Sequence, residues 1–176
     1  LKLALQTQDV PPLAGLPRIY GVAWAFVAHT DSAFDEELLI QFLLAYQQAR
    51  ELRLCEIWSL PTTLRVVLIE NLRRLAEREA THKAAREVAN LCCDRLDSFS
   101  LEALDQLLAW LERRGVGQAF LLQMAQRLQV RRATDHALHQ EWLRHALPDL
   151  AAWQTQQGID QAADNLSVSN AVTSLR

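Results

Sequence analysis

Apolar residues recur along this chain at the three- and four-residue spacing of a helix and nowhere hold the alternation of a strand. Behind an irregular opening that contains Pro11, Pro12 and Gly15, Pro17 suits a first helical turn, where its missing amide proton costs nothing. Ile19, Val22, Ala23 and Phe26 then share one face. The stretch HTDSAFDEELL marks a stop and a new start. Asp31, Ser32 and Asp35 can cap, and Asp35, Glu36 and Glu37 put negative charge at the positive end of the helix dipole. The helix predicted from Asp35 to Arg50 is apolar nearly all round, through Leu38, Leu39, Phe42, Leu43 and Tyr46. It is expected at the centre of the core, with the Phe42 ring as an anchor.

A longer pattern follows, with Pro61 near its start and Leu64, Leu68, Leu72, Leu75, Val88 and Leu96 at helical intervals; Thr81, His82 and Lys83 are the expected place for a bend or break. Ser98 or Ser100 caps a fourth helix through Leu101, Leu104, Leu108 and Leu111, which RRGVG ends with basic residues and a glycine. A fifth is predicted from Phe120 to Leu128, a sixth from Asp135 to Gln157 with Pro148 bending or splitting it, and a seventh in the tail after Gly158. No repeat at a fixed period is present. The pattern predicts an all-α, single-domain, non-repetitive bundle of about seven helices. Residues 1–16 form an irregular lead-in, 17–157 the helical bundle, and 158–176 a truncated helix or linker.

The tail changes face midway. On a wheel from Ile159, the residues Ala162, Ala163 and Leu166 fall within about 60° of it, while Val168, Ala171, Val172 and Leu175 fall on the opposite side. The first stripe is expected to lie on the domain. Either the helix breaks near Ser167, or Val168, Ala171, Val172 and Leu175 form an interface with a downstream part of a longer polypeptide or with a neighbouring copy. With Leu1 in first place and no C-cap signal at Arg176, both ends are expected to be cut from such a polypeptide.

Composition narrows the function classes. The 176 residues are 50% hydrophobic and 22% charged, with only five Gly and five Pro, which suits helices over sheets. Eighteen basic against twenty-one acidic residues give a net charge of −3, and the arginines alternate with acids, so nucleic acid is not an expected partner. Of the three cysteines, Cys92 and Cys93 are adjacent and Cys55 is alone. They offer no disulfide framework or zinc spacing and read as small buried hydrophobes in a reducing compartment. No charge-free stretch approaches the roughly 20 residues of a membrane span.

Residues that tempt a chemical reading have plainer ones. His136 and His139 are about 60° apart on their predicted helix but His145 points nearly opposite His136, so the three do not share a metal; Asp135 one turn before His139 makes a surface pair. The acids Asp35, Glu36 and Glu37 are explained by their place at a helix start. No nucleophile elbow, phosphate-cradling glycine loop or recognisable Cys and His arrangement occurs, and DRLD at Asp94 to Asp97 has the wrong spacing for a nucleotide-sugar site. Trp24, Trp58, Trp110, Trp142 and Trp153 sit in apolar stripes and are expected in the core. The pairs Arg73 with Arg74, Arg113 with Arg114, and Arg131 with Arg132 fit solvated helix faces; weak contact with anionic lipid is the alternative. No catalytic, cofactor or metal residue is predicted.

Two stretches are specific. LPRIYGVAWAFVAHTDSAFDEELLIQFLLAYQQARELRLCEIWSLPTTLRVVLIENLRRLAERE and DQAADNLSVSNAVTSLR resemble the amino-terminal region of bacterial cyclic β-1,2-glucan synthases. The similar pieces are the PRIY, AW and AHTD opening, the AYQ helix end, the EIW and LIENLRRLA block, and the QAADN, SV, NA and TSLR segment. Residues Ala80 to Gln157 match only in being helical and rich in Leu and Arg. The resemblance implies a very large inner-membrane protein whose UDP-glucose-dependent transferase module, working with a divalent metal, starts, elongates and cyclises the glucan, with a distal phosphorylase-like module. It implies that this segment lies on the cytoplasmic side, ahead of the membrane-embedded transferase, as a non-catalytic scaffold or regulatory piece docked on it. No catalytic motif of the family can be placed here. The alternative class is a self-contained protein-interaction or membrane-surface module.

Overall fold

The computed structural model describes residues 15–130 and 137–176, the Val130 side chain excepted. Most of the expected lead-in, together with Arg131, Arg132, Asp135 and His136, lies outside the described residues. The fold is all-α, as the pattern predicts. Among the described residues there are seven helices: α1 (Arg18–His29), α2 (Glu36–Ala49), α3 (Leu54–Asp94), α4 (Leu101–Glu112), α5 (Gly117–Val130), α6 (Ala137–Ala146) and α7 (Leu150–Ser174). A 3₁₀ turn (Leu96–Ser98) follows α3, and there is no strand among the described residues.

Several boundaries follow from local chemistry. Asp35 caps α2 by accepting the Leu38 amide at 2.8 Å, and Ser100, not Ser98, caps α4 by accepting the Ala103 amide at 3.2 Å. Gly115, at φ 73°, ends α4 in a Schellman motif: its own amide bonds the Glu112 carbonyl, and the Val116 amide bonds that of Leu111. Pro148 splits the predicted sixth helix into α6 and α7, so that α7 starts at Leu150 and Gly158 lies inside it. The expected break at Thr81 to Lys83 does not occur, and α3 is helical for 41 residues. Ala, Glu, Lys and Arg favour helix there, and the Thr81 hydroxyl bonds back to the Glu77 carbonyl at 2.7 Å instead of competing with the backbone.

The chain divides into two compact units. One holds the residues up to Leu75 together with Ala162–Arg176, and the other holds Ala76–Gln161. In the first unit Ile19, Val22, Ala23 and Phe26 of α1 are buried on the predicted face, with Leu60, Leu64, Val67 and Leu68 of α3, Tyr46, Leu52 and Ala171. The helix expected to be central is not: in α2 only Tyr46 is fully buried, while Leu38, Ile40 and Leu44 are exposed. Its Leu39, Phe42, Leu43 and Tyr46 supply one packed stripe, and being apolar all round did not give it neighbours all round. Phe42 is half-buried and meets Phe26 at 5.6 Å between ring centroids.

The second unit packs α4, α5 and α6 with the end of α3 and the start of α7 around Phe120, Leu121, Leu122 and Met124. Cys92 and Cys93 lie in that core, and burial pushes the Cys92 thiol pKa up. Cys55 is exposed, against expectation. The five tryptophans also divide. Trp142 and Trp153 pack against the second core and Trp24 against the first, whereas Trp58 and Trp110 are exposed. Trp110 carries the Arg114 guanidinium 4.0 Å above its ring, which accommodates an aromatic face at the surface.

Since Phe26 is fully buried and its partner half-buried, Phe26→Ala should cost about 3–5 kcal/mol in chemical denaturation and Phe42→Ala about half as much. Equal losses would mean that α2 is as deeply packed as α1.

Candidate functional site

The polar residues that the sequence places far apart gather in the first unit around the turn between α1 and α2. That turn is strained. Asp31 and Ser32, neither of them glycine, take φ values of 47° and 67° in succession, a conformation that costs about 1–2 kcal/mol per residue. Ser32 bonds its amide to the Val27 carbonyl at 2.9 Å, continuing the end of α1, and the residue is 1% exposed.

What holds the turn is a knot of hydrogen bonds from α3 and α7. The Asn71 side-chain amide donates to the Ser32 hydroxyl at 2.8 Å and reaches the Ser167 hydroxyl at 3.5 Å. The hydroxyls of Ser32 and Ser167 are 3.3 Å apart. Asn170 donates to the Asp31 carbonyl at 3.1 Å. Ser174 donates its hydroxyl proton to the Ser32 carbonyl at 2.9 Å and accepts the Phe34 amide at 3.0 Å. Buried polar groups are thereby satisfied on both elements, which is the condition for burying them at all.

The tail therefore docks differently from the expectation. Helix α7 is unbroken through Ser167, and Ile159, Ala162, Ala163 and Leu166, the stripe expected against the domain, are exposed. Of the residues expected to form an interface, Ala171 is wholly buried in the first core and Leu175 packs half-buried against it, so both serve this chain's own fold. Val168 and Val172 are exposed. The packed face is Ser167, Asn170, Ala171 and Ser174, spaced for one side of a helix, with Ala171 buried and the other three half-buried. The signal was present as small and polar residues at helical spacing; a reading by apolar residues passes over it.

A second tie joins the start of α1 to the start of α3. Arg18 donates from Nε to Glu56 at 2.9 Å and from Nη2 both to the other carboxylate oxygen and to the Glu51 carbonyl, the latter at 3.0 Å. Glu56 also accepts the Arg53 amide at 2.8 Å, the return half of a capping box at the head of α3. The Arg18 hydrogen bond, and after it the Arg53 amide, hold the Glu56 pKa down from 4.5 to about 2.

The other sequence candidates do not assemble. Among the described residues no three His, Cys, Asp or Glu gather as metal ligands, and no helix is long and apolar enough to cross a membrane. His139 lies 3.4 Å from the Phe99 carbonyl, and His145 lies 3.2 Å from Glu141. A cleft of about 680 Å³ in the second unit is lined by Leu128, Leu143, Leu147 and Leu150, with Gln129, Gln140 and Arg144 as its polar lining. Among the described residues Arg144 is the sole ionisable group of that lining, so these residues supply no pair of groups for acid–base work.

No family model matches the chain. A curated protein does: the cyclic beta-(1,2)-glucan synthase NdvB of Rhizobium meliloti (strain 1021), at 30% identity over 166 residues. The chain is a relative of a segment of a cyclic β-(1,2)-glucan synthase. The match takes in 92% of this chain and 6% of that enzyme's length. It therefore runs through the stretch between the two specific segments, where the sequence resemblance was only one of composition. The specific segments themselves meet in the knot and the tie. Arg18 comes from PRIY, Asp31 and Ser32 from AHTDS, Glu56 from EIW, Asn71 from LIENLRR, and Ser167, Asn170 and Ser174 from the tail segment.

Ser174→Ala and Asn71→Ala should each cost about 1–2 kcal/mol, because each takes a partner from the buried Ser32. Native-state hydrogen exchange should quicken from Ser167 to Ser174 in both variants. A loss under about 0.3 kcal/mol would make the knot idle.

Because the folded-state pKa of Glu56 is depressed, its contribution is complete above the unfolded value of 4.5 and disappears as pH falls towards about 2. The stability difference between wild type and Glu56→Gln should accordingly shrink across that window. A difference that stays constant to the acid end would remove Arg18 as its cause.

Proposed function

We propose that the chain is a non-catalytic scaffold or regulatory segment of a cyclic β-(1,2)-glucan synthase, placed on the cytoplasmic side and docked on the module that polymerises and cyclises glucose from UDP-glucose. The observation that carries this reading is where the shared segments point. Arg18, Ser32, Glu56, Asn71, Ser167 and Ser174 are turned onto one another. Residues that fix a turn, a helix start and a tail are what a scaffold needs. UDP-glucose and its divalent metal belong, in this reading, to another part of the enzyme.

Two measurements test it. Titration calorimetry of the 176-residue chain with UDP-glucose and magnesium should show no saturable binding, and a micromolar site would overturn the proposal. In a glucan synthase that carries this segment, Asn71→Ala with Ser174→Ala should lower the yield of cyclic glucan per cell severalfold while the KM for UDP-glucose stays unchanged. A raised KM would put these residues in the substrate site.

A further inference from the structure

Helix α3 carries an exposed apolar face in the first unit. On a wheel, Leu54, Ile57, Trp58, Pro61, Arg65 and Ile69 fall within about 120° of one another, a stripe roughly 22 Å long. Trp58 is 75% exposed, Leu54 61%, Ile69 57% and Ile57 40%, and Val66 beside them is 49% exposed. Lone exposed apolar residues are ordinary, but a contiguous stripe with an indole at its middle is a binding surface.

The charges decide the occupant. Between Arg50 and Arg74 there are five arginines and three glutamates. Glu56 is held by Arg18, and Glu70 by Arg73 and Arg74 at 2.8 and 3.1 Å, both carboxylates being half-buried, while the third, Glu51, is exposed at the head of α3 between Arg50 and Arg53. The stripe itself has no acid, while Arg65 lies on it and Arg53 at its head, both exposed. A second copy packed antiparallel about the middle of the stripe would set Arg53 of one chain against Glu70 of the other, which Arg73 and Arg74 already hold, and bury Arg65 beside Trp58 without a carboxylate, which is unfavourable. An anionic bilayer surface meets every part of the stripe: tryptophan prefers the headgroup level, leucine and isoleucine reach the acyl boundary, and arginine pairs with lipid phosphate. The net charge of −3 for the whole chain repels its other faces from such a surface and so orients it.

We propose that α3 docks the first unit on an anionic phospholipid surface through Leu54, Ile57, Trp58 and Ile69, with Arg53 and Arg65 on the headgroups. This does not depend on the glucan synthase reading. The test is co-sedimentation of the 176-residue chain with phosphatidylcholine vesicles, with and without about one-third phosphatidylglycerol. Binding should be at least tenfold stronger with phosphatidylglycerol and should weaken with salt. Arg65→Glu should weaken it at least fivefold, since one arginine near the surface is worth about that factor and the glutamate adds repulsion. Ile57→Ser should weaken it about tenfold. Brominated acyl chains should quench the wild type more than Trp58→Phe, and circular dichroism should show all variants folded. Equal binding to both vesicle types, or binding unchanged by Arg65→Glu and Ile57→Ser, overturns the proposal. A concentration-dependent dimer in solution that Trp58→Ser abolishes does so too, since the face would then belong to a second copy.

Discussion

The buried hydroxyl and carbonyl of Ser32 are the constraint on which the first unit rests. A turn of two successive left-handed residues without glycine has no local reason to persist. It persists because Asn71, Ser167 and Ser174 supply partners on both sides of Ser32, and Asn170 fixes the carbonyl just before it. Removing water from those groups makes each hydrogen bond worth more and each missing one costlier. The knot is therefore cooperative: the turn aims α2, and the same turn gives the end of α7 its seat.

That seat is polar because of size as much as of hydrogen bonding. Ala171 is completely buried between Ser167 and Ser174, so along these three residues the helix approaches the turn over side chains of one or two heavy atoms. A leucine face would hold the backbones apart and leave the Ser32 carbonyl unsatisfied. The apolar residues of α7 that look better suited to a core, Ile159 and Leu166, are left at the surface as a consequence.

The same economy runs through the long α3. Its first part buries Leu60, Leu64, Val67 and Leu68 with the first core, and its last part buries Ala85, Ala89, Cys92 and Cys93 with the second. Arginines serve different ends along it. Arg74 covers the Trp24 ring at 4.5 Å while also holding Glu70, whereas Arg65 stands among exposed apolar residues.

Sequence by itself determined what is decided within a few residues. Asp35 and Ser100 start helices, Gly115 ends one, and Pro148 splits one, because caps, positive φ and a missing amide proton act over a single turn. The all-α class and the packed face of α1 were legible for the same reason, since a 3.6-residue period is local. The candidate site was legible only as quoted segments, not as contacts: Ser32 reaches a partner 135 residues away in Ser167. Tertiary structure alone decided that α2 is peripheral, that Trp58 faces out and that α7 turns its serines inward. Periodicity ranks the faces of one helix by their own apolar content, but which face is buried is set by where an unsatisfied partner waits, and for α7 that partner is a strained turn at the other end of the chain.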